Sequence, residues 1–148
     1  TFINRGIPGN TSEQGARRVG RDVVSMEPDL VFIQFALNDA YTGVSLPEFR
    51  ENVRSIISEI RKSLDAEILL VTSVPLQNEE ENRHAIKFYS VLEALAEEYD
   101  LPIARVHVYW QKAVEEGADP DQLYQWDGVH PTEEGYRIMA MAIGSLLE

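Results

Sequence analysis

Leu30-Val31-Phe32-Ile33-Gln34-Phe35-Ala36 is an almost unbroken apolar run, bounded by Pro28-Asp29 before it and Asn38-Asp39 after it. A run of this length, rich in β-branched and aromatic residues, suits a strand covered on both faces. Ile68-Leu69-Leu70-Val71 reads the same way, and Pro102-Ile103-Ala104-Arg105-Val106-His107-Val108 is a third, more alternating run. The opening Thr1-Phe2-Ile3-Asn4 is also strand-like.

Amphipathic stretches lie between these runs. Thr11 with Gln14 has the spacing of a capping box, followed by Ala16, Val19 and Val23 at helical intervals. Ser45 with Glu48 repeats the signal ahead of Phe49, Val53, Ile56, Ile57, Ile60 and Leu64. From about residue 82 to residue 99, Ile86, Tyr89, Leu92, Leu95, Ala96 and Tyr99 form a third stripe. Tyr136, Met139, Ala140, Ile143, Leu146 and Leu147 form the last, and in all of these the apolar positions are expected to be core. Strands alternating with helices predict an α/β fold: a parallel sheet with right-handed crossovers, covered by helices on both faces in a flavodoxin-like three-layer sandwich. Ligands in such sheets bind beyond the carboxyl ends of the strands. The segments 6–11, 36–43 and 73–78 satisfy that position, and the loop around residues 127–130 can meet them there.

The 148 residues suit one domain, 1–148. With 44% hydrophobic and 26% charged residues the chain can bury a core. Its net charge of -12 would repel a phosphate backbone, and no Lys/Arg stripe offsets it, so nucleic acid is not an expected partner. Anionic membrane surfaces are disfavoured for the same reason, and no apolar stretch approaches the length of a span. The chain has no cysteine, which excludes disulfides and thiolate nucleophiles.

The most chemically suggestive segment is Asp127-Gly128-Val129-His130-Pro131-Thr132-Glu133-Glu134-Gly135-Tyr136. Proline favours the first helical position, which predicts His130 at or next to the N-cap. A helix N-terminus disfavours a second proton on the imidazole. A carboxylate accepting from one ring nitrogen favours imidazolium and decides which nitrogen stays free. A histidine held so by Asp127 is the base half of a nucleophilic triad. The same spacing also occurs in simple capped surface turns.

Taken with Asn4-Arg5-Gly6-Ile7-Pro8-Gly9-Asn10-Thr11 and with Ala36-Leu37-Asn38-Asp39, this segment resembles the second, third and fifth sequence blocks of the SGNH hydrolases, or GDSL esterase/lipase family. The resemblance covers essentially the whole chain. It implies that His130 is the general base, Asp127 its orienting carboxylate, and that Gly9 (backbone N–H) and Asn38 (side-chain amide) supply oxyanion-hole donors. Such preorganised donors are worth about 3 kcal/mol each on a developing oxyanion. It implies an acyl-enzyme ester hydrolase for short acyl or acetyl esters, with carbohydrate esters among the candidates, and with no cofactor and no metal. Asp39 reads instead as a loop-structuring acceptor, and His84 and His107 as structural or exposed. Trp110 and Trp126 are open to two readings, stacking on a sugar or packing.

Two departures from the family pattern stand out. Ala36 occupies the position of the third block's usual glycine. The block that carries the family's nucleophilic serine belongs well upstream of Gly9, yet eight residues precede Gly9 here and none is serine. Ser12, at a helix start, and Ser73, at a strand end, are not expected to replace it. The expectation is an amino-terminally incomplete domain lacking the family's first strand. Its sheet would then be completed by a separate amino-terminal piece or by self-association. The alternatives are a non-catalytic or degenerate binding domain on the same fold, and a flavodoxin-like binding domain with Asp39 as its functional acid.

Overall fold

The structure, a computed structural model, describes residues 1–147. Its sheet has three parallel strands in the order β1 (Leu30–Ile33), β2 (Glu67–Val71), β3 (Ile103–Ala104). Val31 pairs with Ile68 and Ile33 with Leu70, while Leu70 and Val71 pair with Ile103 and Ala104. Helices α1 (Ser12–Asp22), α2 (Leu37–Thr42), α3 (Leu46–Ser63) and α4 (Glu79–Tyr99) pack on one another and cover one face of the sheet. Helices α5 (Val106–Glu115), α6 (Pro120–Leu123) and α7 (Glu133–Gly144) form the other layer.

The strand residues explain the layers. Alternate side chains point to opposite faces. Ile68 and Leu70 enter the core shared with Phe49, Val53, Ile57, Phe88 and Leu92, whereas Leu69 and Val71 enter the core shared with Val106, Trp110, Leu123 and Ala142. A strand with no polar face is therefore stable only between two helical layers, as the apolar runs predict. The capping signals are realised too. The Thr11 N–H donates to Gln14 Oε1 at 2.8 Å, and the Ser45 N–H to Glu48 Oε2 at 3.1 Å. No helix among the described residues is long and apolar enough to cross a membrane.

Several expectations are corrected. Residues 1–7 are not a strand: they have no strand beside them with which to form a ladder, and Phe2 is exposed, its ring 6.5 Å from that of Phe32. β1 thus has β2 on one side and a free edge on the other. The third apolar run pairs only at Ile103 and Ala104, and Val106, His107 and Val108 form the first turn of α5. Beyond Ala104, Val106 and Trp110 are buried at the four-residue spacing of a helix, and that packing overrides the strand propensity. Residues 37–42, expected as loop, are helical.

The last helix differs most. Its N-cap is Thr132, whose Oγ1 accepts from the Gly135 N–H at 3.3 Å, so the helix starts at Glu133 and His130 lies two residues before the cap. Pro131 is not at N1; it sits in an isolated antiparallel bridge with Tyr124. The buried face is also rotated from the expected stripe. Gly135 and Ala142 are buried and Ile138, Met139 and Ile143 pack beside them, while Tyr136, Ala140, Leu146 and Leu147 are exposed. In α4, Ile86 is likewise exposed, and Ala85 and Phe88 take the inner positions.

Candidate active site

The candidate residues lie on the loop before α1, the start of α2 and the loop before α7, and hydrogen bonds fasten the last of these to the loop after β2. Residues 124–131 form a closed turn. Gln125 N–H donates to the His130 carbonyl at 2.8 Å, and Gly128 N–H to the Gln125 carbonyl at 3.0 Å. This turn is fastened to the loop after β2 by the Tyr124 hydroxyl, which donates to the Pro75 carbonyl at 2.7 Å, and by the Gln77 N–H, which donates to the Gly128 carbonyl at 3.3 Å. Gly128 has φ +69°, a conformation that favours glycine, and a Cβ there would fall 2.7 Å from Gln77 Oε1 and displace that side chain.

Within the turn, Asp127 is fully used. Its Oδ1 accepts from the Val129 and His130 backbone N–H groups, both at 2.9 Å, and its Oδ2 lies 2.7 Å from His130 Nδ1. The His130 and Val129 backbone N–H groups, followed by the His130 ring, hold the Asp127 carboxyl down to about 2. An ionised carboxylate only accepts, so Nδ1 carries a proton, and in the neutral imidazole the lone pair is on Nε2. The His130 side chain is 66% exposed against 25% for Asp127, which leaves Nε2 accessible. A base restrained at one nitrogen and open at the other can take a proton from a neighbouring hydroxyl.

The other two site residues form a second pair. Gly9 follows Pro8 in a turn closed by Asn10 N–H donating to the Ile7 carbonyl at 3.1 Å, and has φ +79°, as the third position of a type II turn requires. A Cβ at Gly9 would meet nothing within 4 Å, so the backbone there is open to approach. Asn38, in the first turn of α2, donates from Nδ2 to the Asn10 carbonyl at 3.0 Å. That bond uses one of the two amide hydrogens. The second has no protein partner among the described residues and is available to a ligand. No hydrogen bond joins the Gly9/Asn38 pair to Asp127/His130 among the described residues.

Residues beside these do the anchoring. Asp39 is fully buried and accepts from the Ser12 N–H at 3.0 and 3.2 Å and from the Ser12 hydroxyl at 2.6 Å. Burial pushes the Asp39 carboxyl up while the Ser12 hydrogen bonds act the other way. Asn52 Nδ2 donates to Ser12 Oγ at 3.1 Å, so α1, α2 and α3 are tied together beneath the site. Ser12 is thereby committed to structure. Arg18 holds the glycine loop from below, donating to Asn10 Oδ1 at 3.1 Å and to the Arg5 carbonyl at 2.7 Å. His107 is half-buried with Nδ1 2.8 Å from Thr72 Oγ1, and burial lowers its pKa. Trp110 is core, its ring 4.8 Å from that of Tyr124, whereas Trp126 is 96% exposed beside Asp127.

One element of the site had no signal in the sequence. A cavity of about 380 Å³ opens between α2, the loop at Leu76 and Asn78, and the start of α4. On its wall the Tyr41 hydroxyl donates to Glu81 Oε2 at 2.6 Å. These residues are 40 positions apart, and no local pattern announces such a pair.

Residues 1–138 match the GDSL-like lipase/acylhydrolase family. The chain is 28% identical over 157 residues to an acetylxylan esterase from Geobacillus stearothermophilus, covering 95% of this chain and 68% of that protein. It is 27% identical over 140 residues to thioesterase 1/protease 1/lysophospholipase L1 of Escherichia coli K12, covering 95% of this chain and 64% of that protein. The chain thus spans about two thirds of the length of these curated relatives. The crystal structure of a catalytic mutant of the Geobacillus esterase superposes with a TM-score of 0.84 at 26% identity, covering 95% of this chain and 69% of that one. Catalytic mutants of that esterase replace a serine, an aspartate or a histidine by alanine, and the aspartate and histidine are three positions apart.

Proposed function

The chain belongs to the GDSL-like lipase/acylhydrolase family, and from that premise we propose that it carries the base and oxyanion-binding parts of a serine ester hydrolase for short acyl or acetyl esters, including esters of carbohydrate. The observation that carries this reading is the Asp127–His130 pair, 2.7 Å apart, with Nε2 left free. Its three-residue spacing is that of the aspartate and histidine replaced in the catalytic mutants of the Geobacillus esterase.

In this mechanism a serine hydroxyl attacks the ester carbonyl carbon while His130 Nε2 takes its proton. The carbonyl π electrons move onto oxygen, and the oxyanion accepts from the Gly9 N–H and the spare Asn38 amide hydrogen. Collapse breaks the carbon–oxygen bond to the alcohol, which leaves with the proton held on His130. Water then attacks the acyl-serine through the same base and releases the acid. Asp127 stays ionised throughout and keeps the imidazole in one tautomer.

We place the nucleophile outside these residues, on an amino-terminal segment that pairs with the free edge of β1. Two observations support that placement: Ser12 is buried and bonded to Asp39, and among the described residues no serine hydroxyl is hydrogen-bonded to the His130 ring. The experiment is hydrolysis of 4-nitrophenyl acetate by the chain joined to a serine-bearing amino-terminal segment. Activity should fall by about 10⁴-fold or more in His130→Ala. Equal rates in the two proteins would overturn the base assignment. Saturable ester binding without turnover in the joined protein would favour a non-catalytic domain on this fold.

A further inference from the structure

Resting on the ester-hydrolase reading, we infer that the cavity between α2 and the start of α4 selects among esters, receiving an uncharged, hydroxyl-bearing group such as a sugar ring and rejecting an anionic one such as a nucleotide. The cavity's about 380 Å³ lies within the ordinary range for small-molecule sites, about 300–1,000 Å³. It opens beside Asn38: α2 begins with Leu37 and Asn38, and Leu37 lines the cavity.

Its lining has two characters. Leu37, Ala40, Leu76 and Ala85 provide apolar surface for the C–H face of a ring. Tyr41, Asn78, Glu80, Glu81 and His84 provide the polar wall. Burial and the Glu81 carboxylate push the Tyr41 phenol up to about 12, so it remains a neutral donor across the working range. With its proton given to Glu81 Oε2, the pair still offers Glu81 Oε1 and the phenol oxygen as acceptors for substrate hydroxyls.

The same wall is hostile to anions. A helix N-terminus attracts a phosphate through free backbone N–H groups. At the start of α4 three of those groups are occupied, because Asn78 Oδ1 accepts from both Glu80 and Glu81 N–H at 3.0 Å and the Asn78 carbonyl accepts from Asn82 N–H at 2.9 Å. Glu79, Glu80 and Glu81 already offset the helix dipole there, and a phosphate entering would meet the Glu80 and Glu81 carboxylates, against His84 as the one basic side chain of the lining.

The test is a binding titration, followed by amide resonances of Ala40, Tyr41 and Ala85, using methyl 3-O-acetyl-β-D-xylopyranoside and acetyl-coenzyme A as probes. The glycoside should shift these resonances saturably, and acetyl-coenzyme A at equal concentration should leave them in place. Glu81→Gln and Tyr41→Phe should each weaken glycoside binding by about tenfold. Shifts from acetyl-coenzyme A as large as those from the glycoside, no saturable glycoside response, or unchanged affinity in both variants would each overturn the inference. The titration needs no turnover, so its failure leaves the ester-hydrolase reading to the His130→Ala assay, and failure of that assay leaves the cavity's preference to the titration.

Discussion

Asp127 ties backbone conformation to charge. Its carboxyl is held to about 2, well below the unfolded value of about 3.9. A group depressed on folding binds fewer protons in the native state than in the unfolded one. Its stabilisation is therefore fully present above about pH 4 and is lost as the pH falls through about 2. Chemical denaturation at a series of pH values should show a shallower loss of stability across that window in Asp127→Asn than in wild type. Parallel curves would mean that the carboxylate's hydrogen bonds survive unfolding. Ala36 raises an opposite question, of strain. It has φ +156° and ψ -49°, is buried, and stands where the family usually has glycine. Such strained conformations cost about 1–3 kcal/mol, and glycine's extra chain entropy costs about 0.5–1 kcal/mol. The strain is the larger quantity, so Ala36→Gly should raise the thermal midpoint, and a fall would show that the methyl group's packing outweighs it.

At the scale of elements, α7 carries the sharpest tests. Glycine to alanine inside a helix ordinarily stabilises by about 1 kcal/mol. At Gly135 a Cβ would fall 2.5 Å from the Leu123 carbonyl oxygen and 2.6 Å from the Trp110 ring. Gly135→Ala should therefore destabilise, in a direction opposite to propensity, as denaturant midpoints will show. Thr132 caps this helix and also donates to the Gln122 carbonyl at 2.7 Å. Thr132→Ala should cost about 1–2 kcal/mol. If His130 or Pro131 began the helix instead, that substitution would be near neutral. Beneath the site, Asp39→Asn keeps the shape but weakens the acceptor facing the Ser12 N–H and hydroxyl, and should cost about 1–3 kcal/mol.

For the whole molecule, the decisive feature is the free edge of β1, flanked by exposed Phe2 and Ile3. An open strand edge is a template for pairing with another chain. The net charge of -12 opposes close approach of copies at low salt and is screened as salt rises. Sedimentation of the chain alone should therefore show self-association that strengthens with ionic strength. A monomer at all salt concentrations would mean that residues 1–7 protect the edge well enough.

Much of this was legible locally. The strands at residues 30–33 and 67–71 follow from apolar runs that only a two-sided sheet can bury, and the starts of α1 and α3 from side chains that reach their own backbone. The Asp127–His130 contact follows from spacing, because a carboxylate three residues upstream can reach both the backbone and the ring. The start of α7 is ambiguous in the sequence because Pro131 at the first helical position and Thr132 at the N-cap are both acceptable, and only the bonds to Gln122 and Leu123 choose between them. Residues 106–108 favour strand locally, since Val106 and Val108 are β-branched, and only the packing of Val106 and Trp110 makes them helical. Local interactions within a few residues thus determined the caps, the central strands and the Asp127–His130 contact. Contacts across tens of residues, Asn38 to Asn10, Ser12 to Asp39 and Tyr41 to Glu81, decided how the blocks come together and where the cavity opens, since their geometry exists only once the layers have packed.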